Sequence, residues 1–136
     1  LQETLQKFQH QTSLPTHLDV TGHGLPLPPD IQVHALHIIQ EALSNVRKHA
    51  QASHVALRVT KGARWVFVVA DDGHGFDAAT ERGQSHVGLK IMHERAHRIG
   101  ADVTIDSAPG QGTQVTLTLP DASRPASPVA LVGIPT

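Results

Sequence analysis

The sequence predicts an α/β domain, one mixed β-sheet with helices packed on one of its faces. Three observations carry that expectation. Residues 30–50 place Ala35, Ile38, Ile39, Ala42, Leu43 and Val46 largely on one arc of a helical projection. Two pairs of strand-length segments, 54–60 with 65–73 and 102–107 with 113–120, alternate apolar and polar residues or run apolar throughout. Between the pairs, residues 87–101 return to helical spacing, so the order reads helix, two strands, loop, helix, two strands.

Each element has a local reason. Leu1, Leu5 and Phe8 recur at helical spacing in "LQETLQKFQHQT", which reads as the end of a helix arriving from upstream. "HLDVTG" (17–22) reads as a short strand, and "GHGLPLPPD" is rich enough in Gly and Pro to be a loop. Asp30, after two prolines, is the expected N-cap of the helix that runs to about Ala50. "HVALRVT" (54–60) alternates as a half-buried strand does, and Lys61–Arg64 closes a hairpin to the apolar run "WVFVVADDG" (65–73). A loop, "HGFDAATERGQSH", leads to a helix stopped by Gly100. Two further strands flank "APGQG", and the tail from Asp121, rich in Pro, Ala and Ser, shows no packing pattern until "VALVGI". The expected division is 1–12 as the end of an upstream dimerisation helix or linker, 13–120 as the domain, and 121–136 as a flexible tail.

Composition narrows the function classes. The 136 residues suffice for one domain that buries roughly 65–70% of its unfolded surface. With one Trp, three Phe and no Tyr, the core must come from aliphatic residues, and a base-stacking platform is disfavoured. A formal charge of −1 gives no basic field for a phosphate backbone, so no nucleic-acid partner is expected. The absence of cysteine excludes disulfides and thiolate chemistry. No apolar run approaches a membrane span, and no signal-peptide pattern opens the chain. Leu1 in place of Met suggests a piece of a longer protein.

Four constellations carry chemistry. In "QEALSNVRKHA" (40–50), Glu41, Asn45 and His49 recur every four residues, and Lys48 joins them at the edge of the apolar arc. Such a stripe is most often a solvated helix boundary, but the Asn45 amide oxygen also suits Mg²⁺, a hard ion that shares substrate phosphates. "DDGHGF" (71–76) ends an apolar strand; its glycines let a backbone pass close to a ligand while a carboxylate stays fixed to accept from an exocyclic amine. In "HVGLKIM" (86–92), Gly88 is expected at a helix start, where N–H groups receive phosphate oxygens. "GQGT" (110–113) puts glycines and a hydroxyl at a strand entrance. Each alone equally describes an ordinary turn or helix end.

In this order they resemble the N, G1 and G2 boxes and the terminal Gly-Thr of the GHKL ATPase superfamily. The resemblance is to the catalytic ATP-binding domain of sensor histidine kinases, specifically the subfamily of nitrate/nitrite and membrane-fluidity sensors, and spans about residues 13–120. It implies a Bergerat-type two-layer α/β sandwich with ATP and Mg²⁺ as cofactors. By the same resemblance Glu41 is the general base toward a phosphoacceptor histidine, and Asn45 holds Mg²⁺. Lys48 and His49 approach the phosphates, and Asp71 binds the adenine amine in a pocket shaped by Gly73 and Gly75. Val87, Gly88 and Leu89 close over phosphates and base, His86 touches the phosphates, and Thr113 supports the adenine side. Asp72 serves the turn, and a short lid lies between Phe76 and Val87 with Gly83 as its flexible point.

The implied partners are an upstream dimerisation and phosphoacceptor domain and a response regulator. The whole protein would be a homodimeric inner-membrane sensor with this domain in the cytoplasm, and the isolated domain would be a monomer unable to autophosphorylate. Two other readings stay open. Other modules of the superfamily, anti-sigma serine kinases or clamp ATPases, use similar boxes. "HERAH" (93–97) matches the zinc-hydrolase spacing H-E-x-x-H, though no further His or Glu follows it as a third ligand. The remaining histidines, His34 and His37 among them, are expected to be solvated.

Overall fold

The computed structural model describes residues 2–74 and 84–120, with the backbone alone at 49–50 and 84–88. Helix α1 (Gln2–Thr12) leads to strand β1 (Thr16–Gly22), and helix α2 (Pro29–Asn45) continues without a break into a π turn over Val46–Ala50. Strands β2 (Val55–Lys61) and β3 (Val66–Asp71) form the first hairpin. Helix α3 (Gln84–Arg98) then precedes β4 (Asp102–Ser107) and β5 (Thr113–Thr118). The sheet order is β1-β2-β3-β5-β4, with β1 parallel to β2 and every other pair antiparallel. This is the mixed sheet that the strand patterns imply.

Alternation along the strands decides which face is covered. Val55, Leu57 and Val59 of β2, Phe67 and Val69 of β3, and Val115 and Leu117 of β5 are all buried. Their neighbours of opposite parity, Arg58, Thr60, Thr104 and Gln114, are exposed. Side chains two apart point the same way from a strand, so a single apolar face results. Against it α2 lays Ile38, Ile39, Ala42 and Leu43, and α3 lays Met92 and Ala96. The predicted apolar arc of α2 is thus its core face. Leu5 and Phe8 of α1 join the same cluster.

Helix ends depart from expectation in informative ways. Asp30 is not the N-cap: the chain enters α2 through Pro28 in an extended conformation, with no side-chain cap bond. Pro29 fills the first helical position, where its fixed φ is already helical and its missing N–H costs nothing. Asp30 then lies in the first turn, where a carboxylate complements the helix dipole. Gly100 ends α3 as predicted. Its φ is +71°, and Gly100 N–H and Ala101 N–H bond back to the carbonyls of His97 and Ala96 at 3.2 and 2.9 Å, a Schellman closure. Helix α3 begins at Gln84, so the segment from Phe76 to Val87 is not all loop; Phe76 to Gly83 lies outside the described residues. The tail from Asp121 lies outside them too.

Candidate functional site

Helix α2 runs along the sheet so that its C-terminal end meets the end of β3. Five contacts fix that meeting. Asp72, just past β3, accepts hydrogen bonds from Ser53 N–H at 2.8 Å, His54 N–H at 3.0 Å and the Ser53 hydroxyl. His54 Nδ1 also lies 3.1 Å from its carboxylate. Gln51 closes the π turn in the left-handed region, φ +51°, and its side-chain oxygen pairs with His74 Nε2 at 2.8 Å. The expectation that Asp72 serves the turn is met, but it serves two turns at once, its own and the one entering β2. These donors hold the Asp72 carboxyl well below the usual carboxylate range, the Ser53 hydroxyl contributing most.

Its neighbour Asp71 has the opposite environment. It ends β3 on the covered face, in line with Phe67 and Val69, and is half-buried. Burial pushes its carboxyl above the ordinary value, opposed by hydrogen bonds from the backbone N–H groups of Gly73 and Thr113 and aided by the nearby Asp72 charge. The Gly73 bond is 2.8 Å long. A half-buried carboxylate held by two backbone donors is oriented before any ligand arrives and keeps acceptor capacity for an amine.

The β4–β5 turn completes this corner. Thr113 faces Asp71 in the β3–β5 register and Ser107 in the β4–β5 register. Its hydroxyl and that of Ser107 are 2.8 Å apart, and Ser107 also donates to the Gly112 carbonyl at 3.1 Å. Gly110 N–H bonds to the His74 carbonyl, joining the turn to the segment after β3. Gly112 has φ +77°, and a Cβ there would lie on the Asp71 carbonyl, so the two chains approach as only glycine allows. A cavity of about 440 Å³ opens at this rim, lined by Asp71, Ser107, Gly112 and Thr113 together with Asp106 and Gln114.

The predicted residues therefore fall into groups. Asp71, Gly73 and Thr113 form one hydrogen-bonded unit. Glu41 and Asn45 occupy the last turns of α2, both half-buried, and do not line the cavity at the β4–β5 turn. Lys48 is exposed in the π turn. Interruptions of this kind recur at functional sites, and here Val46 stays buried while Arg47 and Lys48 emerge. His49 is described by its backbone in that turn, and His86 and Val87 by theirs in the first turn of α3; Gly75 lies outside the described residues. Gly88 is not at the helix start, because α3 opens four residues earlier, and the free N–H groups of the helix belong to residues upstream of it. Leu89 is half-buried and packs on the core.

Sequence reasoning missed Gln51, Ser53, His74 and Ser107. Only Ser107 left a signal, since it ends a strand opposite a threonine and cross-strand Ser–Thr pairs hydrogen-bond. The zinc reading gains no support. His93, Glu94 and His97 are exposed on α3, and among the described residues no group of three His, Cys, Asp or Glu could hold a metal. Arg95, inside the same motif, instead reaches His37 Nδ1 on α2 at 2.9 Å. Of the histidines expected to be solvated, His34 departs: its Nδ1 is buried without a partner among the described residues.

Comparison with known proteins fits this geometry. Residues 30–123 match the family of histidine kinase-, DNA gyrase B- and HSP90-like ATPases. The chain is 38% identical over 125 residues to the nitrate/nitrite sensor protein NarQ of Escherichia coli, covering 90% of this chain and 22% of that protein. It is 31% identical over 121 residues to the histidine-protein kinase/phosphatase DegS of Brevibacillus brevis, covering 88% and 31%. The chain thus spans a third or less of these relatives. Among solved structures, the mycobacterial sensor histidine kinase MprB aligns with a TM-score of 0.65 at 18% identity, covering 91% of this chain and 92% of that one. The histidine kinase domain of the blue-light activated kinase of Erythrobacter litoralis aligns at 0.66 and 18%, covering 87% and 58%. At such identities these structures speak for the fold, the two-layer α/β sandwich. The chain belongs to the histidine kinase-, DNA gyrase B- and HSP90-like ATPase family, as a domain of the histidine kinase type.

Proposed function

We propose that this domain binds ATP with Mg²⁺ and presents the γ-phosphoryl to a histidine on an upstream dimerisation domain of the same protein, from which a response regulator takes it. The observation that carries the reading is the Asp71 carboxylate, half-buried and held by Gly73 and Thr113 at the strand end nearest the exit of α2. Asp71 accepts from the adenine amine. Lys48, with His49, His86, Val87, Gly88 and Leu89, contacts the rest of the nucleotide, and Gly75 shapes the pocket beside Gly73. Thr113, tied to Ser107, supports the adenine side.

Mg²⁺ takes oxygen donors, keeps several waters, and is commonly held by one or two protein oxygens plus substrate phosphates. Asn45 fits that demand: its amide sits half-buried at the end of α2 and is not spent on capping the turn that follows. When bound, the ion supplies charge neutralisation on the phosphates. Glu41, one turn before Asn45, takes the proton of the acceptor imidazole as its nitrogen bonds to the γ-phosphorus and ADP leaves. Beyond that proton the protein's work is positioning.

In this reading residues 13–120 are the catalytic unit, 1–12 continue from the upstream helix, and 121–136 form the tail. The isolated chain is a monomer that binds ATP without phosphorylating itself. The whole protein is a dimeric membrane sensor with this domain in the cytoplasm; no helix among the described residues is long and apolar enough to cross a membrane. Titration calorimetry of ATP·Mg²⁺ into the wild type, Asn45→Ala and Asp71→Ala tests the site. Affinity should fall in both variants while circular dichroism stays native, and unchanged affinity in both would remove the assignment.

A further inference from the structure

At the end of the sandwich opposite Asp71 lies a second and larger cavity, of about 700 Å³. The first half of α2 walls one side with Ala35, Leu36 and Ile39, the β2–β3 hairpin walls the other with Trp65 and Phe67, and Leu27 roofs it. The loop before α2 is fastened over it, since Trp65 Nε1 donates to the Leu25 carbonyl at 3.0 Å and Gln32 Nε2 to that of Leu27 at 2.7 Å. Lys61 is the one charged residue in the lining among the described residues, and its ammonium lies over the Trp65 ring, 5.2 Å from the centroid. Leu25 and Val33 beside it are exposed by 55% and 50%. Interiors normally close such space, so an apolar cavity of ligand-pocket size fits an apolar occupant.

We propose that the occupant is the chain's own C-terminal segment, residues 129–134, "VALVGI". The chain leaves the sheet at the cavity rim: Leu119 N–H bonds to the Trp65 carbonyl at 2.9 Å, immediately before Pro120. Sixteen residues follow Pro120, and the first eight, "DASRPASP", form a polar, proline-containing spacer. Fully extended, that spacer reaches about 26–29 Å, enough to turn back across the hairpin. The segment it delivers is the apolar run of the tail, and residues 125–136 carry no Asp, Glu, Lys or Arg side chain to be desolvated. The family match ends at residue 123, before this segment begins.

Trp65 is the single tryptophan of the chain and lines the cavity, so its fluorescence reports on occupancy. The experiment uses the full chain, the full chain with Leu131→Asp and Val132→Asp, and the full chain with Val33→Asp, each checked by circular dichroism. In the wild type, Trp65 emission should be blue-shifted and slowly quenched by acrylamide; both variants should shift it to the red and speed quenching. A synthetic peptide of residues 126–136 should restore the wild-type spectrum of the tail variant but not that of Val33→Asp. Its Leu131→Asp form should bind roughly tenfold more weakly or worse, as expected for losing one buried leucine. Identical emission and quenching in wild type and tail variant would overturn the proposal. Protection that disappears on dilution would also overturn it, assigning the cavity to the tail of a second copy.

Discussion

Ser53 donates two hydrogen bonds to Asp72, one from its backbone N–H at 2.8 Å and one from its hydroxyl. With His54 N–H as a third donor, this carboxylate ties the exit of α2 to the end of β3. Its folded-state pKa therefore lies below the unfolded one. The associated stability is present above the unfolded value of about 4 and is lost as pH falls through the folded value. Asp72→Asn should lower the melting temperature at pH 7, and the gap to wild type should narrow below about pH 4. Thermal melts by circular dichroism at pH 7 and pH 3 check this; an equal gap at both would show that the ionised carboxylate is not the stabilising form.

Gly110 and Gly112 share a positive φ, +79° and +77°, but not a neighbourhood. A Cβ at Gly110 meets nothing within 4 Å among the described residues, whereas one at Gly112 lands on the Asp71 carbonyl. Gly110→Ala should then cost about 1–2 kcal/mol, the conformational penalty alone. Gly112→Ala should cost clearly more and weaken ATP binding as well, because the backbone it displaces carries Asp71. Denaturant unfolding and calorimetry on both variants separate the cases, and equal costs would refute the close approach.

The fold was legible because burial follows period. Ile38, Ile39, Ala42 and Leu43 sit at helical spacing, and Leu57, Val59, Phe67 and Val69 sit two apart within their strands, so each face announced itself. Asp71 was singled out only through the resemblance that "DDGHGF" carries, because an acidic pair before Gly-His-Gly at a strand end reads by itself as an ordinary turn. What escaped depends on contacts between segments distant in sequence. Nothing in "QASH" shows that Ser53 will meet a carboxylate nineteen residues later. The helix at Gln84 escaped because "GQSH" carries no apolar period, and the cap at Pro28 because a good capping residue, Asp30, stood two places further on.

Asp71 is shifted the other way, and its effect on stability reverses with it. Burial raises its folded-state pKa, so ionising it opposes folding; that penalty is full above the folded pKa and absent below the unfolded one. Asp71→Asn should melt no lower than wild type at pH 7 and show no relative gain at pH 3. ATP affinity should nevertheless fall by roughly tenfold or more, since a charge-assisted hydrogen bond to the base becomes a neutral one. In the wild type that affinity should also weaken as pH is lowered through the raised pKa. A variant both less stable and binding-deficient at pH 7 would make Asp71 a structural residue.

Glu41 and Asn45 lie one helical turn apart on α2, both half-buried, yet the proposed roles separate them. An amide that holds the phosphates through a metal acts on binding, whereas a general base acts on the transfer step. Glu41→Gln keeps the shape and removes the basicity, so the dissociation constant for ATP·Mg²⁺ should stay near that of wild type. Transfer to a phosphoacceptor domain supplied in trans should fall by about 10²–10⁴, the range general-base catalysis commonly contributes. Asn45→Ala should lose both. Calorimetry paired with single-turnover labelling of the acceptor reads the two quantities separately. If Glu41→Gln weakened ATP binding as much as Asn45→Ala does, the carboxylate would belong to the phosphate site rather than to the proton transfer.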